Sequence, residues 1–267
     1  MPFTTHQLQL YYEIQGSGEP VLLIHGLGSS CQDWSHQVQA LQQVYQVITV
    51  DLRGHGQSDK PAGPYSIKML AEDVSRLMQQ LNITQYHLVG ISMGGMIGFQ
   101  LVTDYPHQVL SLTIINSGPF LLADSWKIRC LIQQRLLITQ LFGMHITGWF
   151  IMRKLFPKPE QYALRQHGVE KWAKNDKAAY ISAFKALINW SVNTPLAEIK
   201  CPCLILTGDR DYTSVSYKAA YCKQLPDAKL EVIKDSGHAS PLDQPEHVNQ
   251  ALLTFLSQCR NKYNRPA

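Results

Sequence analysis

The apolar positions of this chain follow two alternating patterns. Short runs, apolar almost throughout, fall at 21–24, 47–50, 87–89, 110–115, 204–206 and 230–233. Each ends in or just before a cluster of Gly, Asn, Asp, Ser or His. Runs this short and rich in β-branched residues predict strands buried on both faces of a parallel sheet. Residues 7–14 instead alternate apolar with polar and lead into Gly16 and Gly18, which predicts a hairpin arm. Between the runs the period lengthens. Ile67, Leu70, Ala71, Val74, Leu77, Met78 and Leu81 recur at offsets of three and four, the stripe of an amphipathic helix over 67–81. Residues 94–105 form an apolar helix that closes at Pro106, and 245–259 form the last helix.

Strand–helix alternation of this kind implies right-handed crossovers and an α/β class, with a mostly parallel sheet flanked by helices. Residues 120–195 break the rhythm. They are helical in period, rich in aromatics and without a clear strand. They read as a helical cap inserted into a single α/β core made of 1–119 and 196–267.

Composition sharpens this picture. Apolar residues make up 45% of the 267 and charged residues 16%, below the roughly 25% charged that is typical of soluble domains. A sizeable core is expected and intrinsic disorder is excluded. A net charge of +4 is too small to imply nucleic acid as a partner. The charge is uneven, however: 120–195 holds 11 Lys/Arg against 4 Asp/Glu, and the remainder 13 against 16. The six cysteines include no C-x-x-C pair, and Cys201 and Cys203, flanking Pro202, read as small buried apolar residues. Residues 1–12 lack a basic region followed by an apolar run, and no stretch of about 20 apolar residues exists. A cytoplasmic protein with reduced thiols is the expectation.

The conspicuous polar residues fall just after strands, where open parallel sheets bind ligands. Gly90-Ile91-Ser92-Met93-Gly94 is a G-x-S-x-G between strand and helix. Such a turn presents the serine hydroxyl from a strained backbone and aims a helix N-terminus at it. Its bland counterpart is a Gly-rich turn with a serine cap. His25-Gly26-Leu27-Gly28 follows the first buried strand. A tetrahedral oxyanion needs two backbone donors, and Leu27 N–H and Met93 N–H are the candidates. His25 is read as holding that loop, not as a base. His238 follows the last strand in a Gly-containing loop and is the candidate base for Ser92. His55, His87 and His107 read as loop or surface residues. Asp211, in Gly208-Asp209-Arg210-Asp211, is the preferred carboxylate to orient the imidazole, with Asp209 as the alternative.

The order Ser92, Asp211, His238, together with Trp34, the segment 51–58 (Asp-Leu-Arg-Gly-His-Gly-Gln-Ser) and Gly237-His238, resembles the α/β-hydrolase superfamily over nearly the full length. Gly63-Pro64-Tyr65-Ser66-Ile67 and residues 92–98 are most similar to 3-oxoadipate enol-lactonases. The core is shared with esterases, C–C bond hydrolases and cofactor-free haloperoxidases. The resemblance implies a structural role for 51–58 and a cap that supplies most substrate contacts.

The expected activity is therefore that of a serine hydrolase acting on a small carboxylic ester or lactone, with no cofactor and no metal. A C–C bond hydrolase, a perhydrolase or an acyltransferase on the same residues stays open, as does a non-catalytic binding or signalling module on a hydrolase scaffold. Leu27 and Trp149 are the expected substrate contacts. The basic, greasy cap fits an anionic substrate, plain packing onto the core, or peripheral contact with a membrane.

Overall fold

Nine strands occur among residues 8–263, the part of the chain described by the computed structural model. They are β1 (Tyr12–Gln15), β2 (Glu19–Ile24), β3 (Tyr45–Val50), β4 (Tyr86–Ile91), β5 (Val109–Ile115), β6 (Phe120–Leu121), β7 (Trp190–Ser191), β8 (Cys203–Gly208) and β9 (Ala228–Ile233). The helices are α1 (Ser35–Leu41), α2 (Ile67–Gln80), α3 (Met93–Asp104), α4 (Trp126–Leu155), α5 (Tyr162–Ala173), α6 (Lys177–Leu187), α7 (Val215–Cys222), α8 (Ser240–Asp243) and α9 (Pro245–Tyr263).

Seven strands form one sheet in the order β1-β3-β2-β4-β5-β8-β9, parallel except for β1. All six apolar runs lie within its strands. Alternate residues of each central strand serve opposite faces. Leu22 and Ile24 pack with the apolar stripe of α2 and with α3, whereas Val21 and Leu23 pack with α1 and α9. Both faces are thereby covered, which is why these strands read as continuous apolar runs. Ser66 caps α2 by accepting from Met69 N–H at 3.1 Å. The first strand departs from the hairpin expectation. β1 crosses β2 and pairs antiparallel with β3, Tyr12 opposite Val50, and Gln7 lies outside the described residues.

The order of strands reverses between β2 and β4, whose ends are in register at Ile24 and Gly90. The loop after β2 and the turn after β4 therefore meet at the switch point, where ligands of open sheets bind.

Residues 120–195 contain more than helices. β6 and β7 pair antiparallel at the neck, Phe120 opposite Ser191, a two-residue ribbon too short to leave a period in the sequence. Between them run α4, α5 and α6, with a small core of their own that includes Met144, Met152, Val169, Trp172 and Tyr180. α4 is broken at Gly143 (φ 74°), and Thr147 Oγ1 donates to Thr139 Oγ1 across the break at 3.1 Å. No helix among the described residues is long and apolar enough to cross a membrane.

Candidate active site

Ser92 sits between β4 and α3 with φ 54° and ψ −116°, a strained conformation for a residue with a side chain. The turn is held from both sides. Ser92 N–H donates to Ile115 O at 3.0 Å, and Ser117 Oγ donates to Ser92 O at 2.6 Å. The flanking glycines are required by crowding. A Cβ on Gly90 would lie 2.2 Å from Gly94 O, and one on Gly94 would lie 2.2 Å from Ile24 O.

His238 Nε2 lies 2.9 Å from Ser92 Oγ, and His238 Nδ1 lies 2.5 Å from Asp211 Oδ1. A carboxylate only accepts, so Nδ1 carries the proton and Nε2 is free to accept from the Ser92 hydroxyl. Burial pushes the Asp211 carboxyl up, but His238 and Lys218 outweigh it and hold it well below the usual carboxylate range. Tyr212 stacks on the His238 ring at 4.4 Å. Asp209 does not share this position. Its Oδ1 accepts from Ser236 N–H at 3.1 Å and so fastens the backbone of the His238 loop.

The loop after β2 packs directly on the serine: a Cβ on Gly26 would lie 3.4 Å from Ser92 Cβ. His25 is buried and fixed at both ring nitrogens. Its Nδ1 donates to Gly26 O at 2.7 Å, and its Nε2 accepts from Leu52 N–H at 3.0 Å. Burial lowers its pKa, so it is a neutral strut with no lone pair left for chemistry. Met93 opens α3, where helix geometry leaves the first amides without partners inside the helix. Leu27 borders the same cavity as Ser92.

One reading of the other histidines is corrected: His87 is fully buried within β4, neither in a loop nor on the surface. His55 lies in the 51–58 loop, as expected, and is fully buried there. His55 sits 5.1 Å from the His25 ring and donates from Nδ1 to Arg53 O, and His87 Nδ1 pairs with Ser111 Oγ at 2.7 Å. His107 is exposed, as expected. The segment 51–58 is structural. Asp51 accepts from Cys31 N–H at 2.7 Å and Gln57 N–H at 2.8 Å and so ties two loops together.

A cavity of about 560 Å³ joins Ser92 and His238 to the helices of 120–195. Trp149 does not border it, contrary to the expectation. It is exposed on α4 against Phe150 and Arg153. The break at Gly143 resets the phase of α4, so Met152 and Leu155 turn inward and Trp149 outward. Trp34 and Trp172 of α5 do border the cavity, and Trp172 ties α5 to the loop after β2. It packs against Gly28, whose φ is +75° and where a Cβ would lie 2.7 Å from the indole, leaving no room for a side chain. Asn175 Nδ2 donates to Gly28 O at 2.9 Å, and Lys171 pairs with Asp33 at 2.6 Å. α5 is thus bolted to the loop that faces Ser92.

Three further residues were missed. Asn116, at the end of β5, accepts from Gly208 N–H at 2.9 Å and donates from Nδ2 to Gly237 O, His238 O and Ser240 Oγ. It joins the Asp211 loop to the His238 loop. An amide just past a buried apolar run was the signal available. Lys218 of α7, wholly buried, donates to Asp211 Oδ2 and to Thr213 O at 2.7 Å. Arg135 of α4 borders the cavity. Its Nε donates to Tyr180 Oη at 2.8 Å, its guanidinium lies 4.6 Å over Phe184, and no carboxylate among the described residues pairs with it.

Comparison with known proteins agrees with this architecture. Residues 19–134 match the model of the alpha/beta hydrolase fold family. The chain is 30% identical to 3-oxoadipate enol-lactonase 2 of Acinetobacter baylyi, over 96% of each protein. It is 32% identical to a putative carbamate hydrolase, RutD, of Yersinia enterocolitica, over 92% of each. An esterase from Exiguobacterium antarcticum superposes with a TM-score of 0.87 at 24% identity, covering 95% of this chain and 97% of the other.

Proposed function

Because the chain belongs to the alpha/beta hydrolase family, we propose that it is a serine hydrolase that cleaves a carboxylic ester or lactone through an acyl-enzyme on Ser92. The observation that carries this reading is the continuous chain of short contacts from Ser92 Oγ through His238 to Asp211. A Ser hydroxyl is a weak nucleophile until a base accepts its proton, and an imidazole held in one tautomer by a carboxylate is such a base.

In the proposed reaction Ser92 Oγ attacks the carbonyl carbon while its proton passes to His238 Nε2. The negative charge that develops on the carbonyl oxygen is met by Leu27 N–H and Met93 N–H. Collapse breaks the carbon–oxygen bond, and the leaving alkoxide or enolate takes the proton from His238. Water then attacks the acyl-enzyme, giving its proton to the same nitrogen, and Ser92 leaves with that proton as the acid departs. Residues 120–195 act as a cap that shapes the cavity. The guanidinium of Arg135 in the cavity wall, which pairs with no carboxylate among the described residues, supports a substrate carrying a carboxylate or similar anion. The similarity to a protein named putative carbamate hydrolase supports including a carbamate among the test substrates.

The test uses a fluorophosphonate probe and p-nitrophenyl esters from acetate to decanoate. Covalent labelling and multiple turnover should both be lost in Ser92→Ala, with kcat falling by roughly 10⁴ to 10⁶. Near wild-type turnover in Ser92→Ala would discard the proposal. Labelling with slow, single-turnover hydrolysis and tight product retention would instead favour a binding module.

A further inference from the structure

We propose that the outward face of α4 is a docking surface for anionic lipid bilayers, holding the protein peripherally with residues 120–195 against the membrane. Residues 125–159 contain six Lys/Arg and no Asp or Glu. Along the same stretch Trp126 is 71% exposed, Leu141 64% and Phe142 63%, and Leu131, Leu137, Trp149 and Phe150 are exposed as well. Folding has left a run of large apolar side chains in water on a single helix, and such exposure marks an interaction site.

The placement is ordered. Trp126, Cys130, Leu137 and Leu141 share one side of the first half of α4, at offsets of four, eleven and fifteen. Ile146, Trp149, Phe150 and Arg153 share one side of the second half. The break at Gly143 puts Leu141 and Phe142 at an apex where open space surrounds the glycine. Each half carries a tryptophan with a cation on its ring: Lys127 over Trp126 at 6.0 Å and Arg153 over Trp149 at 4.6 Å. Indole beside a long cationic side chain suits the boundary between acyl chains and headgroups, with the aliphatic stem buried and the charge reaching outward. Lys127, Arg129, Arg153 and Lys154 are exposed, and none forms an ion pair among the described residues.

Charge decides between occupants. A second copy docked two-fold on this face would set cations against cations with no acid to receive them. An acidic protein or a nucleic acid would satisfy the charge and leave the apolar side chains wet. An anionic bilayer satisfies both. The inner side of the same helix supplies Arg135, Met152 and Leu155 to the cavity wall. Docking would therefore bring lipid-dissolved esters to the wall of the cavity. That consequence rests on the hydrolase reading, and the docking itself does not.

The experiment is sedimentation of the full chain with vesicles of phosphatidylcholine, with and without one-third phosphatidylglycerol, at low and high salt. The protein should pellet with the mixed vesicles, only weakly with phosphatidylcholine alone, and less at high salt. Leu141→Asp/Phe142→Asp should weaken binding at least about tenfold. Lys127→Glu/Arg153→Glu should weaken it by roughly fivefold or more per cation replaced. Thermal melting and fluorophosphonate labelling of the free proteins check that each variant is folded. The charge-reversal pair keeps the test decisive if the Leu141/Phe142 variant is not. No binding to mixed vesicles overturns the proposal, as does equal binding by folded variants. A dimer in sedimentation velocity that Leu141→Asp/Phe142→Asp dissociates would assign the face to self-association and overturn it as well.

Discussion

Lys218 and Asp211 form an ion pair with no solvent exposure on either side chain, and the other carboxylate oxygen of Asp211 accepts from His238. Burial pushes the Lys218 ammonium down in pKa while Asp211 opposes the drop, and two further acceptors on Thr213 complete its hydrogen bonding. The cation helps to hold the Asp211 carboxyl well below the usual carboxylate range. Lys218→Met removes the charge while keeping much of the side-chain volume. Loss of this cation should let the Asp211 carboxyl rise, so kcat/KM should fall off at a higher pH on the acid side. Stability should fall by about 3–5 kcal/mol, the cost of breaking a buried pair. A stability loss with an unmoved pH profile would make Lys218 a structural residue only.

Asn116 completes three strand-end loops with a single amide. Its replacement by Ala leaves Gly208 N–H and His238 O without their partner, while Gly237 O keeps its bond from Ser240 Oγ. Each orphaned buried group costs about 1–3 kcal/mol. Urea unfolding of Asn116→Ala should show a loss of about 2–6 kcal/mol, the cost of two such groups. Because the amide sets the distance between the Asp211 and His238 loops, kcat should drop about 10- to 100-fold with KM little changed. Asn116→Asp retains the acceptor but places a charge against the same carbonyls, so it should not rescue. A variant that unfolds more easily yet keeps its kcat would contradict the positioning role.

The parts of this architecture visible in the sequence are those tied to short-range pattern. Six strands follow from nearly continuous apolar runs, and five of them are buried as expected. The sixth, β9, expected to be buried on both faces, is a half-exposed edge strand because no described strand pairs beyond it in the sheet. The positions of Ser92, Asp211 and His238 follow from each lying just past such a run. What escaped reading depends on orientation. Lys218 looks like any helix cation until α7 turns it inward, and Trp149, expected at the cavity, faces away from it because Gly143 breaks the phase of α4. β6 and β7 are two residues each, and the pairing of β1 with β3 rather than β2 is a choice of partner that alternation cannot express.

Three buried histidines set an acid-side weakness. Burial lowers the pKa of His25, His55 and His87, that of His55 to about 3. A histidine whose folded pKa lies below its unfolded value stabilises the fold fully above about pH 6.5 and progressively less as the pH falls, because the unfolded chain takes up the proton first. For His55 alone the loss reaches about 3 kcal/mol at pH 4.5. The depressed carboxyl of Asp211 has the same sign, but its window opens only below about pH 3.8. Urea midpoints should therefore drop steadily from pH 7 to 4.5, and His55→Leu should flatten the slope by close to one proton. Equal slopes for the two proteins would show that His55 takes up its proton in the folded state.

Arg135 offers a fork of donors to whatever occupies the cavity, held in place by its bond to Tyr180 and by the ring of Phe184 beneath it. A guanidinium stacked and bonded in this way has lost little freedom left to lose on binding, so a carboxylate gains most of the charge-assisted hydrogen bond, about 1.5–3 kcal/mol. Arg135→Gln should raise KM about 10- to 100-fold for an ester or lactone bearing a distal carboxylate. It should change KM only a few-fold for the neutral analogue of the same length. Arg135→Lys should not restore the difference, since an ammonium neither stacks on Phe184 nor makes the paired bonds. The discriminating measurement is the ratio of kcat/KM for the charged and neutral substrates in the three proteins. A ratio that stays constant would mean that Arg135 only braces α4 against α6, and that the anion preference lies elsewhere in the cavity wall.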